Sequence, residues 1–302
     1  MEDSNRVPWD QVGLFAGVVL AIPWLLTAPM HLGLLEYAGI TAGAVAVLAM
    51  WAPTVATAVL LLTLDRGGDV HWTRRVGLSV PRGTLWPWLG VLGAAWLLPI
   101  LLNLLGPFVA AGLGTMELDL VEFSGLRALI VAQGGEAALE ALPVPLWVIV
   151  AVTPLQAVLG AVINVVLGAM GEELGWRGWL LPKLLPLGRW PAMLAVGALW
   201  GIWHAPLILL GHNYPDAPVL GVLLFVPFCM IWGVIHGWAR LASDSVWPPA
   251  LMHGALNASA GFALMLLASG STPSSLLAAP VGLASLVLPV VVVLGLAVAW
   301  RR

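Results

Sequence analysis

Charge is scarce in this chain of 302 residues: Asp, Glu, Lys and Arg make up 9%, lysine occurs once, at Lys183, and cysteine once, at Cys229. A soluble domain of this length needs far more polar covering, so a water-exposed globular fold is excluded. A single cysteine excludes an intramolecular disulfide framework and any CxxC metal motif, and its place inside an apolar run reads as a buried thiol. The formal net charge is −3 and no basic stripe exists to meet phosphates, which excludes a nucleic-acid partner. What the chain has in quantity is apolar surface, 61% of residues being hydrophobic. That composition belongs to an all-α, polytopic integral membrane bundle whose main partner is the lipid bilayer.

Hydropathy predicts about eight transmembrane helices of roughly 20 residues each, the length needed to cross a bilayer core. They fall near 12–28, 39–62, 85–110, 145–169, 191–211, 219–240, 249–268 and 279–300. The first follows an acidic Met1-Glu2-Asp3 start with no small-residue cleavage pattern, so it is expected to be an uncleaved span. With a cytoplasmic N-terminus, the inner segments carry Arg6, then Arg66, Arg74, Arg75 and Arg82, then Arg177, Lys183 and Arg189, then Arg240, and finally Arg301 and Arg302, leaving only Arg127 outside. The positive-inside rule therefore predicts both termini in the cytoplasm, in the inner (plasma) membrane of a cell. The near absence of lysine beside abundant Ala, Gly, Leu and Arg fits a bacterial genome of high GC content.

The expected organisation is a cytoplasmic tail at 1–11, N-terminal transmembrane helices over 12–112, an outer connection at 113–143, a helical core at 144–268 and a C-terminal transmembrane helix within 277–302. The acids of the outer connection read as a solvated face, and 126–132 as a short interfacial helix. The segment 65–84 reads as a polar cytoplasmic loop. Pro182, Pro186 and Pro191 are expected to stop the fourth helix and start the fifth.

Chemistry gathers in the second half. After a stretch with no charge between Glu140 and Glu172 comes Gly171-Glu172-Glu173-Leu174-Gly175-Trp176-Arg177. Carboxylates near membrane depth are costly, so this pair with its arginine is a functional-site candidate. Residues i and i+4 share a helix face, so Glu173 can reach Arg177 while Glu172, turned about 100° away, is free for other work. The next span holds Trp200-Gly201-Ile202-Trp203-His204, with Trp200 one turn before His204, and the seventh holds His253-Gly254-Ala255-Leu256-Asn257. A carboxylate to take a proton from water, imidazoles to hold the water or a metal, and an amide donor for an oxyanion are what hydrolysis needs. On the span count His204 lies deeper than Glu172, so the fourth helix must run past 169 or tilt for the two to meet.

These three motifs, Glu172-Glu173-x-x-x-Arg177, an aromatic four residues before His204, and His253-x-x-x-Asn257, resemble those of the CPBP family, the Rce1-like CAAX prenyl proteases and bacteriocin-processing intramembrane proteases also called Abi. The resemblance covers 145–268, with Trp200 standing where the second motif usually has phenylalanine. It implies an intramembrane hydrolase whose cavity opens to the cytoplasmic side and that cleaves a hydrophobic, membrane-anchored or prenylated peptide or protein. It further implies Glu172 as general base assisted by His204, His253 and Asn257 as oxyanion stabilisers, and Glu173 with Arg177 as the pair that fixes the geometry. Glu172, His204 and His253 are also the ligand types of a zinc site, so the expected cofactor is either none or one zinc ion. Neither histidine lies in an HExxH helix, which favours metal-free chemistry.

Other polar residues have plainer expectations. His236 reads as a packing or interfacial histidine, Asn103 as structural, and His31, His71 and His212 as exposed loop residues, whereas Asn164 could bond across helices or line the cavity. A non-proteolytic membrane scaffold or immunity protein is the alternative function. A proton-coupled transporter fits less well, because the polar residues sit in one half rather than in paired repeats.

Overall fold

A computed structural model describes residues 6–64, 71–80, 85–278 and 280–300, and the regular structure among them is helical, with no strand. Within hydrocarbon a helix alone satisfies its own backbone, and this apolar sequence uses it throughout. The main elements are α1 (Trp9–His31), α2 (Gly39–Met50), α3 (Ala52–Thr63), α4 (Leu85–Gly112), α5 (Ser124–Glu140), α6 (Leu146–Asn164), α7 (Arg189–Trp203), α8 (Pro218–Ser243), α9 (Trp247–Ser259) and α10 (Val287–Ala299). Among the described residues, six stretches are long and apolar enough to cross a membrane: Trp9–His31, Gly39–Thr63, Leu85–Gly112, Leu146–Leu187, Arg189–Ile208 and Pro218–Ser243. The segments expected to span at 249–268 and 279–300 fold as shorter pieces, α9 with Phe262–Leu266, and Leu283–Ala299. Leu155, Leu159, Ile163 and Val166 are exposed at spacings of four, four and three along α6 and its continuation, as a lipid-facing stripe should be. Of the expected cytoplasmic loop, 65–70 and 81–84 lie outside the described residues, as do Arg301 and Arg302; between the two gaps Trp72–Arg75 forms one helical turn.

The fourth span does not stop at 169. It runs from Leu146 to Leu187 by way of two π-helical stretches, Val165–Ala169 and Leu174–Leu180, with Met170–Glu173 between them. Pro182 and Pro186 do not end it; they sit in the first turns of Leu181–Leu184 and of the 3₁₀ turn Leu185–Leu187, and the break comes at Gly188, whose φ of 97° no helix accepts. The wider π turns change the backbone pairing, and side chains from the break between α2 and α3 meet carbonyls there: the Trp51 indole donates to Leu167 O at 2.9 Å and the Thr54 hydroxyl to Gly171 O at 2.6 Å. The Glu172-Glu173 pair is thereby enclosed by protein, with helical backbone on both sides.

The connection at 113–143, expected on the outer side, holds more helix than expected. Instead of a short helix at 126–132 it carries the 17-residue α5, bent at Gly135. The chain before it is tied to the C-terminal part of the bundle, Asp119 N donating to Leu266 O and Ala268 N to Glu117 O, both at 2.9 Å.

Close backbone contacts bring the motif helices together. α7 meets α8 through Gly197-x-x-x-Gly201, where a Cβ on Gly197 would lie 2.6 Å from Met230 Cα and one on Gly201 2.6 Å from Val226 Cα. Only glycine permits that approach, the small-residue contact typical of membrane helices. It places Trp200 and His204 beside the inner face of α8, while α9 lies against α6.

Candidate active site

Glu173 and Arg177 form the expected i, i+4 pair at 2.7 Å, with both side chains wholly buried. Glu173 Oε1 accepts a second hydrogen bond, from His253 Nδ1 of α9 at 2.9 Å. A buried carboxylate is tolerable only when its charge is met in this way, and here one oxygen joins the Glu motif to the third motif.

Glu172 points elsewhere, as its helical phase requires. It is 1% exposed, and its Oε2 accepts the indole N–H of Trp200 at 2.6 Å and that of Trp176 at 3.3 Å. Its Oε1 stands 3.8 Å from His253 Nε2. His204 donates Nδ1–H to Trp200 O at 2.8 Å; a carbonyl only accepts, so that tautomer leaves the Nε2 lone pair free. Glu172, Trp200, His204, His253 and Asn257 line one cavity of about 340 Å³, within the range of small-molecule sites. Asn257 is exposed to it, one turn beyond His253 on α9. The apolar part of the wall includes Phe225, Phe228 and Leu256.

The question whether Glu172 and His204 can meet is answered by the π-helical continuation of the fourth span, which carries Glu172 to the cavity that His204 also borders. Asn103 on α4 donates to Leu256 O at 3.1 Å and to Ser259 Oγ at 2.8 Å, fixing the end of α9, and also lines the cavity. Asn164 does not line it and donates to Gly160 O on its own helix. His31 and His71 are exposed, but His212 is not a free loop residue. It is half-buried at the cavity wall, with Nδ1 3.3 Å from the Tyr37 hydroxyl, and burial holds its imidazole below the ordinary histidine range.

His236, read from the sequence as a packing or interfacial residue, is packed, and it lies beside the histidine motifs. It is fully buried, its ring centroid 5.6 Å from that of Trp200 and 5.8 Å from that of His253; Nδ1 donates to Trp232 O at 2.9 Å and Nε2 has no hydrogen-bond partner. The signal that could have found it is a histidine in the middle of an apolar helix facing the two histidine motifs.

Two donor sets bear on a metal. The expected trio, Glu172, His204 and His253, shares the cavity, whereas among the described residues the group whose ligand atoms lie within 4.8 Å of one another is Glu173, His236 and His253. In each set one carboxylate oxygen is already taken and the other is not: Glu172 Oε2 holds two indole donors, and Glu173 Oε1 holds Arg177 and His253 while its Oε2 has no hydrogen-bond partner.

Fold and site together define a class, a multi-pass helical membrane protein with a carboxylate–histidine cavity enclosed by its helices. Residues 154–259, about a third of the chain, match the family model described as Type II CAAX prenyl endopeptidase Rce1-like. The match covers all three motifs and supports, in general terms, an intramembrane endopeptidase of the CAAX type. No curated protein matches the chain.

Proposed function

We propose that this chain hydrolyses a peptide bond in a hydrophobic, membrane-anchored or prenylated peptide, with Glu172 as the base that activates water. The observation that carries the reading is that Glu172, His204, His253 and Asn257, drawn from three separate helical segments, border one cavity. The His204 Nε2 lone pair accepts one hydrogen of the attacking water and orients it, while Glu172 takes the other proton as the oxygen adds to the carbonyl. His253, in its protonated state, keeps one N–H on Glu173 and offers the other to the oxyanion, where the Asn257 amide joins it. As the tetrahedral intermediate collapses, the C–N bond breaks and Glu172 returns its proton to the leaving nitrogen. Glu173 and Arg177 hold His253 and the helix in place. The distribution of arginines supports a cavity reached from the cytoplasmic side of the plasma membrane.

The test is cleavage of internally quenched peptides, with and without a farnesyl group, by the purified protein in proteoliposomes. Turnover of either class supports the reading, and turnover of neither by a folded protein opposes it. Two further outcomes are expected. Glu173→Gln lowers kcat less than Glu172→Gln, because its amide oxygen still accepts from Arg177 and His253; the reverse order would show that the two roles are exchanged. Incubation with a strong zinc chelator leaves turnover unchanged, whereas loss on chelation and recovery with zinc would establish metal dependence and remove the metal-free mechanism.

A further inference from the structure

Glu172 is held in a way that general-base chemistry does not by itself require. Its Oε2 accepts both indole N–H groups, at 2.6 Å from Trp200 and 3.3 Å from Trp176, and Oε1 is left facing His253 Nε2 at 3.8 Å. The two donors come from different elements, Trp176 from the Glu172 helix and Trp200 from α7, yet converge on one oxygen. Both rings are buried, so water does not compete for their N–H groups, and a buried indole N–H strongly favours an acceptor. Trp200 is in turn stacked under Arg177, whose guanidinium carbon lies 4.7 Å from the ring centroid. A cation over the face of an indole draws on its electrons and makes the N–H a better donor. Arg177 therefore pairs with Glu173 directly and, through Trp200, tightens the hold on Glu172.

We propose that Trp176 and Trp200 form a two-donor cradle that fixes Glu172 Oε2 and leaves Oε1 as the oxygen that takes the proton from water. The inference rests on Glu172 acting as the base. Both indoles are positioning residues: they act through the carboxylate, holding it in one rotamer before substrate arrives. Phenylalanine, usual at the position of Trp200 in the second motif, fills similar space but has no N–H to donate.

The experiment has two arms. In protein labelled with 15N-tryptophan, the indole cross-peak assigned to Trp200, by its loss in Trp200→Phe, is expected to move in Glu172→Gln, where a neutral amide replaces the anionic acceptor. In the proteoliposome assay, Trp200→Phe is expected to lower kcat by about tenfold to a hundredfold, the effect of one hydrogen bond to a charged group, with KM within about twofold and the thermal midpoint retained. Trp176→Phe should act in the same direction and less strongly, its contact being longer. A Trp200 cross-peak that ignores Glu172→Gln overturns the cradle whether or not the protein is a protease. Unchanged kcat in Trp200→Phe overturns the positioning role. A cross-peak that moves while Glu172→Gln still cleaves supports the hydrogen bond and removes the catalytic reading beneath it, so the two failures are distinguishable.

Discussion

Replacement of Glu172 by glutamine is expected to lower peptide cleavage by about a hundredfold to ten-thousandfold, the usual contribution of a positioned general base. The change is conservative in shape. Glutamine's amide oxygen can still accept from Trp200 and Trp176, so the helix packing around position 172 has no reason to open. What glutamine cannot do is take a proton from water. Single-turnover cleavage beside a thermal melt separates the two effects: lost turnover with a retained melting midpoint is the expected pair. Full turnover in a folded Glu172→Gln protein would leave the cavity without its base.

The second large effect is expected at His253. It touches both carboxylates, Nδ1 lying 2.9 Å from Glu173 Oε1 and Nε2 3.8 Å from Glu172 Oε1. His253→Asn tests these contacts separately, because an asparagine amide N–H can stand close to the Nδ1 position and still donate to Glu173 while nothing remains at Nε2. The expected result is near-native stability with turnover reduced about a hundredfold to a thousandfold, the cost of removing one oxyanion donor. His253→Ala, by contrast, should lose stability as well, since Glu173 then keeps only Arg177. Turnover unchanged in His253→Asn would place the oxyanion elsewhere in the cavity.

Much of this arrangement was legible in the sequence because it depends on helical phase. The Glu173–Arg177 contact at 2.7 Å, the separate direction of Glu172 and the link from Trp200 to His204 all follow from i, i+4 spacing. The membrane class follows from composition. The end of the fourth span did not follow, because hydropathy treats a charged pair as a boundary, and a pair neutralised inside the protein escapes that logic. Nor could a π-helical stretch be foreseen, since it leaves no periodic signature of its own. Trp51 and Thr54, which meet the carbonyls of Leu167 and Gly171, lie upstream of every motif, and only tertiary packing brings them there. His236, read as packing or interfacial because no motif partner flanks it, is buried as a packing residue would be, but its place beside the motifs was not legible. Its neighbours Trp200 and His253 come from other helices, and the close α7–α8 approach at Gly197 sets one of those contacts. The seventh and eighth expected spans fold shorter than their apolar length; in the seventh the helix breaks at Ala260-Gly261, inside a run that composition alone reads as continuous.

The most direct test of the central claim compares peptide termini across the membrane proteome of native cells carrying the wild-type protein, Glu172→Gln, or neither. The account predicts new termini in hydrophobic or membrane-anchored proteins that appear with the wild type alone. Identical profiles in all three, with Glu172→Gln still supporting whatever phenotype the wild type supports, would contradict it and leave a membrane scaffold in its place.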